Sequence, residues 1–446
     1  MSGDELFPDF ANQSKAGSFD TGKPRMREPV RDQIELRAVD LERLLALDHP
    51  ARVIWDYVQK LDLRALEEAI QAREHTSGQA PASPRLLLAL WLFATSEGVA
   101  SARALARLCD SHDAYRWLCG GVSVNYHGLA DFRTAHPGLL DQLLTESVAS
   151  LAVAGVIDLD EVAQDGVRVR ASAGAGSFRR RKKLHKELKK AQRLIARLKQ
   201  EADDDPQASS RRIKAAQDRA TRERAARVAA ALDKLAEIEA HRARRGRANR
   251  NNKKKDAKTL EPRASTTDAE ARVMKMADGG FRPAYNCQIA SAAGGQIVLA
   301  AAAKAVGSDR GLMRPMLNKV KERYGCWPKR HLVDGGFNKN EDIEWAAGNG
   351  VKVYGPPSRS KHKRDPYGVR ADDGPGVAAW RARMKSPHGK GAYKRRALAE
   401  CINARFRNWR LYQFNVRGVE KITTVLHWFA LANNILAGHR LLRAAA

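Results

Sequence analysis

The sequence predicts a mixed α/β domain, preceded by an all-α domain and interrupted by a basic helical hairpin. Three observations predict it. From about residue 30 to 155 the apolar pattern is helical throughout. At "LDEVAQDGVRVRASAG" it switches to β-branched residues at alternate positions, Val167 and Val169, and β runs return after residue 270. Between these regions "LHKELKKAQRLIARL" places Leu184, Leu188, Ala191, Ile195 and Leu198 at alternating spacings of four and three, a coiled-coil seam.

Composition sets the class of partner. The chain has 446 residues, enough for two or three domains, and is 43% hydrophobic. A formal net charge of +28 exceeds what solubility requires and calls for a polyanion, nucleic acid above all. An anionic membrane is the competing polyanion, but no signal peptide or uninterrupted apolar span is present. The nearest run, "ITTVLHWFALANNILAG", contains His427, Asn433 and Asn434 and reads as a buried helix of a soluble protein. Five scattered cysteines without a CxxC pair suggest reduced thiols in a cytosolic protein, with no zinc site.

In chain order, residues 1–25 read as a disordered arm and 26–155 as a helical DNA-binding domain. Ser83-Pro84 opens one helix, which closes near Gly98; Ser101 opens a helical run that stops at Gly120-Gly121; Pro137-Gly138 splits the next. Arg103, Arg107, Arg116, His127 and Arg133 are candidates to face DNA, set against the ordinary reading of a solvated helix face. A strand through Val162–Val169 carries Asp165. Residues 178–263 form the inserted hairpin: "DDDPQASS" turns the chain, and Ile213, Ala216, Ala220, Val228, Leu232 and Leu235 continue the apolar seam. It ends in the basic run "RARRGRANRNNKKKDAK", a mobile linker that at this charge density also contacts DNA. Residues 156–177 and 264–446 make the α/β domain, with a hairpin turn at Gly294-Gly295 and a helix in "GLMRPMLNKVKERYG".

Two stretches of this domain carry candidate chemistry. In "HLVDGGFNKNEDIEWA" a buried strand ends at Asp334, two glycines follow, and Asn338 with Glu341 forms a capping box for the next helix. Alone, this is a common turn; in open α/β sheets it is also where chemistry sits. In "YKRRALAECINARFRNWRLYQF", a continuous helix would hold Tyr393, Arg396, Glu400 and Arg407 within an arc of about 60°. Alone, this is an exposed helix with an i,i+4 ion pair. Taken together, Asp165, Asp334 and Glu400 offer three carboxylates in a basic protein. That combination suits phosphodiester cleavage with two Mg²⁺ ions about 3.5–4 Å apart.

At these residues the chain resembles the DDE transposases of bacterial insertion sequences, whose catalytic domain has a ribonuclease-H-like fold. "AQDGVRVRASAG", "ARVMKMADGGFRPAYNCQIA" and "HLVDGGF" resemble the family's strand motifs, and Tyr393, Arg396 and Glu400 fit the Y-x2-R-x3-E signature of one branch. Arg407 stands where the family often has Lys. "LARLCDSHDAYRWLCGG…DFR" resembles the N-terminal helical domain and "FNVRGVEKITTVLHWFALANNIL" the C-terminal helix. The resemblance implies that Asp165, Asp334 and Glu400 bind two Mg²⁺ ions, with Mn²⁺ as a substitute. It also implies that Tyr393, Arg396 and Arg407 touch DNA. It further implies a homodimer on element ends and target DNA in the bacterial cytoplasm, at the nucleoid. Asp158, Asp160 and Asp268 are lower-ranked acidic alternatives. A nuclease of the same fold that cuts without joining, and a non-catalytic DNA-binding regulator, are the competing readings.

Overall fold

The computed structural model describes residues 38, 40–72, 80–204, 211–247, 261–358 and 365–445. The arm at 1–25, residues 205–210 of the turn "DDDPQASS" and residues 248–258 of the basic run lie outside them, as do the side chains of 244–247 and Ile213. Leu41–Ala446 form one compact unit.

Most of the N-terminal helices begin at a side-chain cap. They are α1 (Pro50–Gln59), α2 (Arg64–Glu68), α3 (Pro84–Ser96), α4 (Ala102–Ser111), α5 (Asp113–Cys119), α6 (Tyr126–Ala135) and α7 (Pro137–Val153). Ser83 and Ser101 accept the N–H groups of Arg85 and Ala104. The helical run from Ser101 to Gly120 is two helices. His112 ends α4, and its Nδ1 accepts the Ala114 N–H at 3.3 Å to start α5. Arg133, one of the candidates to face DNA, is buried among the helices. It is 8% exposed, stacks 4.7 Å from the centre of the Trp91 ring and donates to Asn415 Oδ1 at 2.8 Å. All five cysteines are free.

After α7 come β1 (Glu161–Arg170), β2 (Phe178–Arg179), the hairpin helices α8 (Arg181–Asp204) and α9 (Arg211–Arg247), and β3 (Ala264–Ser265). Leu184, Val228, Ala231, Leu232 and Leu235 close the helices' seam, and Arg181 pairs with Glu239, so the hairpin is antiparallel. β2 and β3 pair at its base, returning the chain beside its point of departure. There follow β4 (Arg272–Lys275), β5 (Phe281–Ala292), β6 (Ile297–Lys304), α10 (Met313–Tyr324), β7 (Arg330–Val333), α11 (Asn340–Gly348) and β8 (Lys352–Tyr354). The chain closes with α12 (Pro375–Lys385), α13 (Pro387–Lys394), α14 (Ala397–Asn408) and α15 (Val419–Ala445).

The sheet runs β4-β5-β1-β7-β8, with β6 also on β5. β4, β5, β6 and β1 are mutually antiparallel where paired; β1, β7 and β8 are parallel. This mixed sheet flanked by helices is the ribonuclease-H-like architecture. α15 binds its two neighbours together. Trp428, Leu431 and Ile435 join the core of the N-terminal helices, while Ile422, Val425 and Phe429 pack under the sheet. Asn434 accepts the Val298 N–H and donates to the Val298 carbonyl, each at 2.8 Å, so it covers the β6 edge as another strand would. A buried asparagine inside an apolar helix is thereby satisfied. Among the described residues no helix is long and apolar enough to cross a membrane.

Candidate active site

The parallel register of β1 and β7 does the first work. Glu161 to Gln164 pair with Arg330 to Val333. Asp165 follows on β1, and Asp334 is the first residue beyond β7. Neighbouring strands lie about 4.8 Å apart and in-register residues share a face, so backbone pairing alone makes these distant aspartates neighbours.

Each aspartate is followed by a glycine whose N–H it accepts on Oδ1: Gly166 at 2.9 Å and Gly335 at 2.6 Å. At Gly335 backbone leaves no room for a side chain, and at Gly166 one fits only if neighbouring side-chain ends move. A Cβ on Gly166 would lie 2.5 Å from Asp309 Oδ1 and Gln288 Nε2; one on Gly335 would lie 2.9 Å from the Pro356 carbonyl oxygen. Asp334 caps a 3-10 turn, Gly335–Phe337, and the capping box expected at Asn338 does not form. Asn338 instead donates to the Pro356 carbonyl at 2.6 Å, and Glu341 pairs with Lys339. The turn is tied to the chain beyond β8 rather than to the helix it precedes.

A polar chain stiffens the opposite face of the sheet. His331 Nε2 lies 3.1 Å from Gln164 Oε1, Gln164 donates to Gln288 Oε1 at 2.7 Å, and Gln288 and Asn286 both donate to Asp309. Burial pushes the His331 imidazole down to about 3, so it is neutral at physiological pH.

The segment expected as one helix from Tyr393 to Arg407 is two, α13 and α14, joined at Arg395 and Arg396. Arg395 forks onto the buried Glu161 carboxylate, with Nε–Oε1 at 2.6 Å and Nη2–Oε2 at 2.5 Å, and Arg330 stands 3.0 Å from the same group. This anchors the joint to the start of β1. Arg396 then enters the site: Nη1 is 3.8 Å from Asp165 Oδ1, Nη2 pairs with Glu400, and the guanidinium carbon lies 5.8 Å from the Tyr393 ring centre. Burial opposes the Arg396 charge, but Tyr393, Asp165 and Glu400 together hold its pKa above the ordinary value. Burial raises the Asp165 pKa; Asp334 and Glu400 add to the rise, against the Gly166 N–H and Arg396. Burial also raises that of Tyr393. Arg407 is exposed, about 10 Å further along α14.

The structure thus brings Asp165, Asp334, Tyr393, Arg396 and Glu400 into one electrostatic cluster. The acidic alternatives are engaged elsewhere: Asp160 pairs with Lys329, Asp158 accepts the Asp160 N–H, and buried Asp268 accepts the Tyr285 hydroxyl. Sequence reasoning missed Glu161, Arg395 and Asn403, whose Nδ2 donates to Asp165 Oδ2 at 2.7 Å. It also missed a groove of about 410 Å³ beside the Asp334 turn, lined by Arg310, Lys339 and Arg370 among others. Of these, Lys339 alone had a signal, its place just after the DGG motif.

Among the described residues no three His, Cys, Asp or Glu side chains stand close enough to enclose a metal ion as they are. The donor chemistry nevertheless fits a hard cation: carboxylate oxygens, one of them desolvated, with a guanidinium where positive charge is needed.

Two family comparisons bear on this geometry. A transposase DDE domain matches residues 256–435, and a transposase domain (DUF772) matches residues 39–135. Together the two matches support a DDE-transposase identity for the chain. The DDE-domain match takes in Asp334, Tyr393, Arg396, Glu400 and Arg407; β1 with Asp165 precedes it and is joined to it by strand pairing. No curated protein and no solved structure matches the chain.

Proposed function

We propose that this transposase cleaves DNA at the ends of an insertion sequence and joins them to target DNA at Asp165, Asp334 and Glu400. The observation that carries the reading is the register of β1 and β7, which sets Asp165 beside Asp334 with Arg396 linking Asp165 to Glu400. The three carboxylates would hold two Mg²⁺ ions, or Mn²⁺ in their place. When bound, such ions activate the attacking oxygen and stabilise the leaving one. The protein's own groups do the rest. Arg396, released from Glu400, clamps a phosphate beside the carboxylates, and its fork suits that geometry. Tyr393 packs under Arg396 and limits its rotation. Lys339, Arg310 and Arg370 line the groove along which the DNA backbone approaches.

The N-terminal helices and the hairpin carry further DNA contacts, and a homodimer acts on the paired ends. Replacing residues 181–262 by a short Gly-Ser linker, which β2 and β3 are placed to accept, leaves the α/β domain folded. DNA binding then weakens, and the slope of log K against log salt becomes shallower. An unchanged slope removes the hairpin from the DNA interface.

The direct test uses DNA spanning the element's end and its flank, labelled at the 5′ end of the transferred strand, with Mg²⁺ and a target plasmid. Cleaved ends joined to plasmid support the proposal. Cleavage without joined product favours the nuclease, and binding without cleavage the regulator.

A further inference from the structure

Asn403 stands one turn after Glu400 on α14 and is 8% exposed. Its Nδ2 donates to Asp165 Oδ2 at 2.7 Å. An ionised carboxylate only accepts hydrogen bonds, which fixes the amide with nitrogen toward Asp165 and oxygen away. That oxygen, Oδ1, is buried and has no hydrogen-bond partner among the described residues. Its flanking α14 neighbours, Ile402 and Phe406, are buried and apolar and offer no donor. Buried acceptors without donors are uncommon and call for an explanation. The other Asp165 oxygen is already held by the Gly166 N–H and lies near Arg396. Asn403 therefore decides how the carboxylate is turned.

We propose that Asn403 is a positioning residue for the cation site. Its amide nitrogen sets the rotation of the Asp165 carboxylate, and its open amide oxygen accepts a hydrogen bond from a water that the cation brings. Hard divalent ions of this kind keep several waters when bound, so the missing donor arrives with the ion. Groups that orient a metal-binding side chain in this way are commonly worth about 10–100-fold in metal affinity. The inference rests on the triad reading above and extends it to a residue that no charge pattern marks. A plain structural tie between α14 and β1 would also use the Asp165 bond, but it leaves Oδ1 unexplained and makes no link to the ion.

The test compares the parent chain with Asn403→Leu, Asn403→Asp and Asp165→Asn. Two measurements need no turnover: Mn²⁺ affinity, from the paramagnetic resonance signal of free Mn²⁺, and melting in EDTA against melting with Mn²⁺. The parent binds Mn²⁺ and Asp165→Asn loses it. Asn403→Leu, similar in volume, weakens Mn²⁺ binding by about tenfold or more. Asn403→Asp sets a second carboxylate against Asp165, so it melts lower than the parent in EDTA and gains more from Mn²⁺ than the parent gains. Should the leucine variant fail to fold, the aspartate variant decides. Parent-like Mn²⁺ affinity in Asn403→Leu, or an Asn403→Asp melting deficit that Mn²⁺ leaves unchanged, overturns the role of Asn403 alone. Equal Mn²⁺ binding by the parent and Asp165→Asn overturns the triad reading itself.

Discussion

The β1–β7 edge and the α13–α14 joint deliver carboxylates to one place by different means. At the edge, Asp165 and Asp334 are neighbours because two parallel strands are in register, and each is followed by a glycine in a crowded place, Gly335 against backbone and Gly166 against side-chain ends. At the joint, Glu400 sits in the first turn of α14 with its side chain 57% exposed, and Arg396 is the partner that holds it. The edge is set by folding. The joint is set by a few ion pairs: Arg395 on Glu161 anchors it, and Arg396 spans Asp165 and Glu400. The proposed cation site therefore has two fixed walls and one adjustable wall. This accounts for three carboxylates that share an electrostatic field without standing together as a ready metal cage.

The largest effect tests whether both halves serve one reaction. Asp165→Ala, Asp334→Ala and Glu400→Ala each lower Mg²⁺-dependent cleavage by about a thousandfold, about 4 kcal/mol of barrier, while DNA binding measured by filter retention persists. A Glu400→Ala enzyme that cuts at the parent rate would detach the joint from the chemistry.

The next effect separates the halves. Gly166→Ala drives a methyl into Asp309 and Gln288 at the fixed edge, and lowers folding stability by about 1–3 kcal/mol in denaturant titration. A matching change at the joint does the reverse. Arg396→Lys keeps the charge and loses the fork, so melting barely moves while cleavage falls by about tenfold, about 1.4 kcal/mol. Parent-like cleavage by the lysine variant would reduce Arg396 to a surface ion-pair partner of Glu400.

The smallest effect concerns charge at the edge without metal. Burial raises the Asp165 pKa in the folded protein above its unfolded value. The folded state thus holds the proton more tightly, and no penalty exists at pH values below the unfolded pKa. The penalty grows as pH rises through the folded pKa and is complete at neutral pH. Asp165→Asn accordingly melts slightly higher than the parent in EDTA at pH 7, and the difference disappears in acid. A lower melting temperature for the variant at pH 7 would mean that the Arg396 and Gly166 contacts outweigh burial.

Much of the edge was legible in the sequence. Alternating Val167 and Val169, the apolar Leu332-Val333 and the glycines after each aspartate are local signals for strands that end at a tight turn. The joint was legible only in part. "YKRRALAECINARF" has no helix breaker, so periodicity predicts one helix. The break at Arg395–Arg396 comes from a tertiary contact, Arg395 on Glu161, 234 residues away. The spacing of Arg396 and Glu400 survives because both lie at the start of α14. Arg407 on the same helix remains exposed. Asn338 looked like a cap because its neighbours have cap spacing, yet the Pro356 carbonyl competes for it. The polar chain from His331 to Asp309 joins residues of three strands and a loop, and no local pattern reports it.

The central claim is that folding sets the edge and the cation recruits the joint. Anomalous diffraction from crystals of the protein with an element-end DNA and Mn²⁺ tests it most directly. The account predicts manganese peaks bounded by the carboxylates of Asp165, Asp334 and Glu400, with the Arg396–Glu400 pair opened and Arg396 on phosphate. Manganese bound elsewhere, or Glu400 still paired with Arg396 and no ion between the two aspartates, would contradict it.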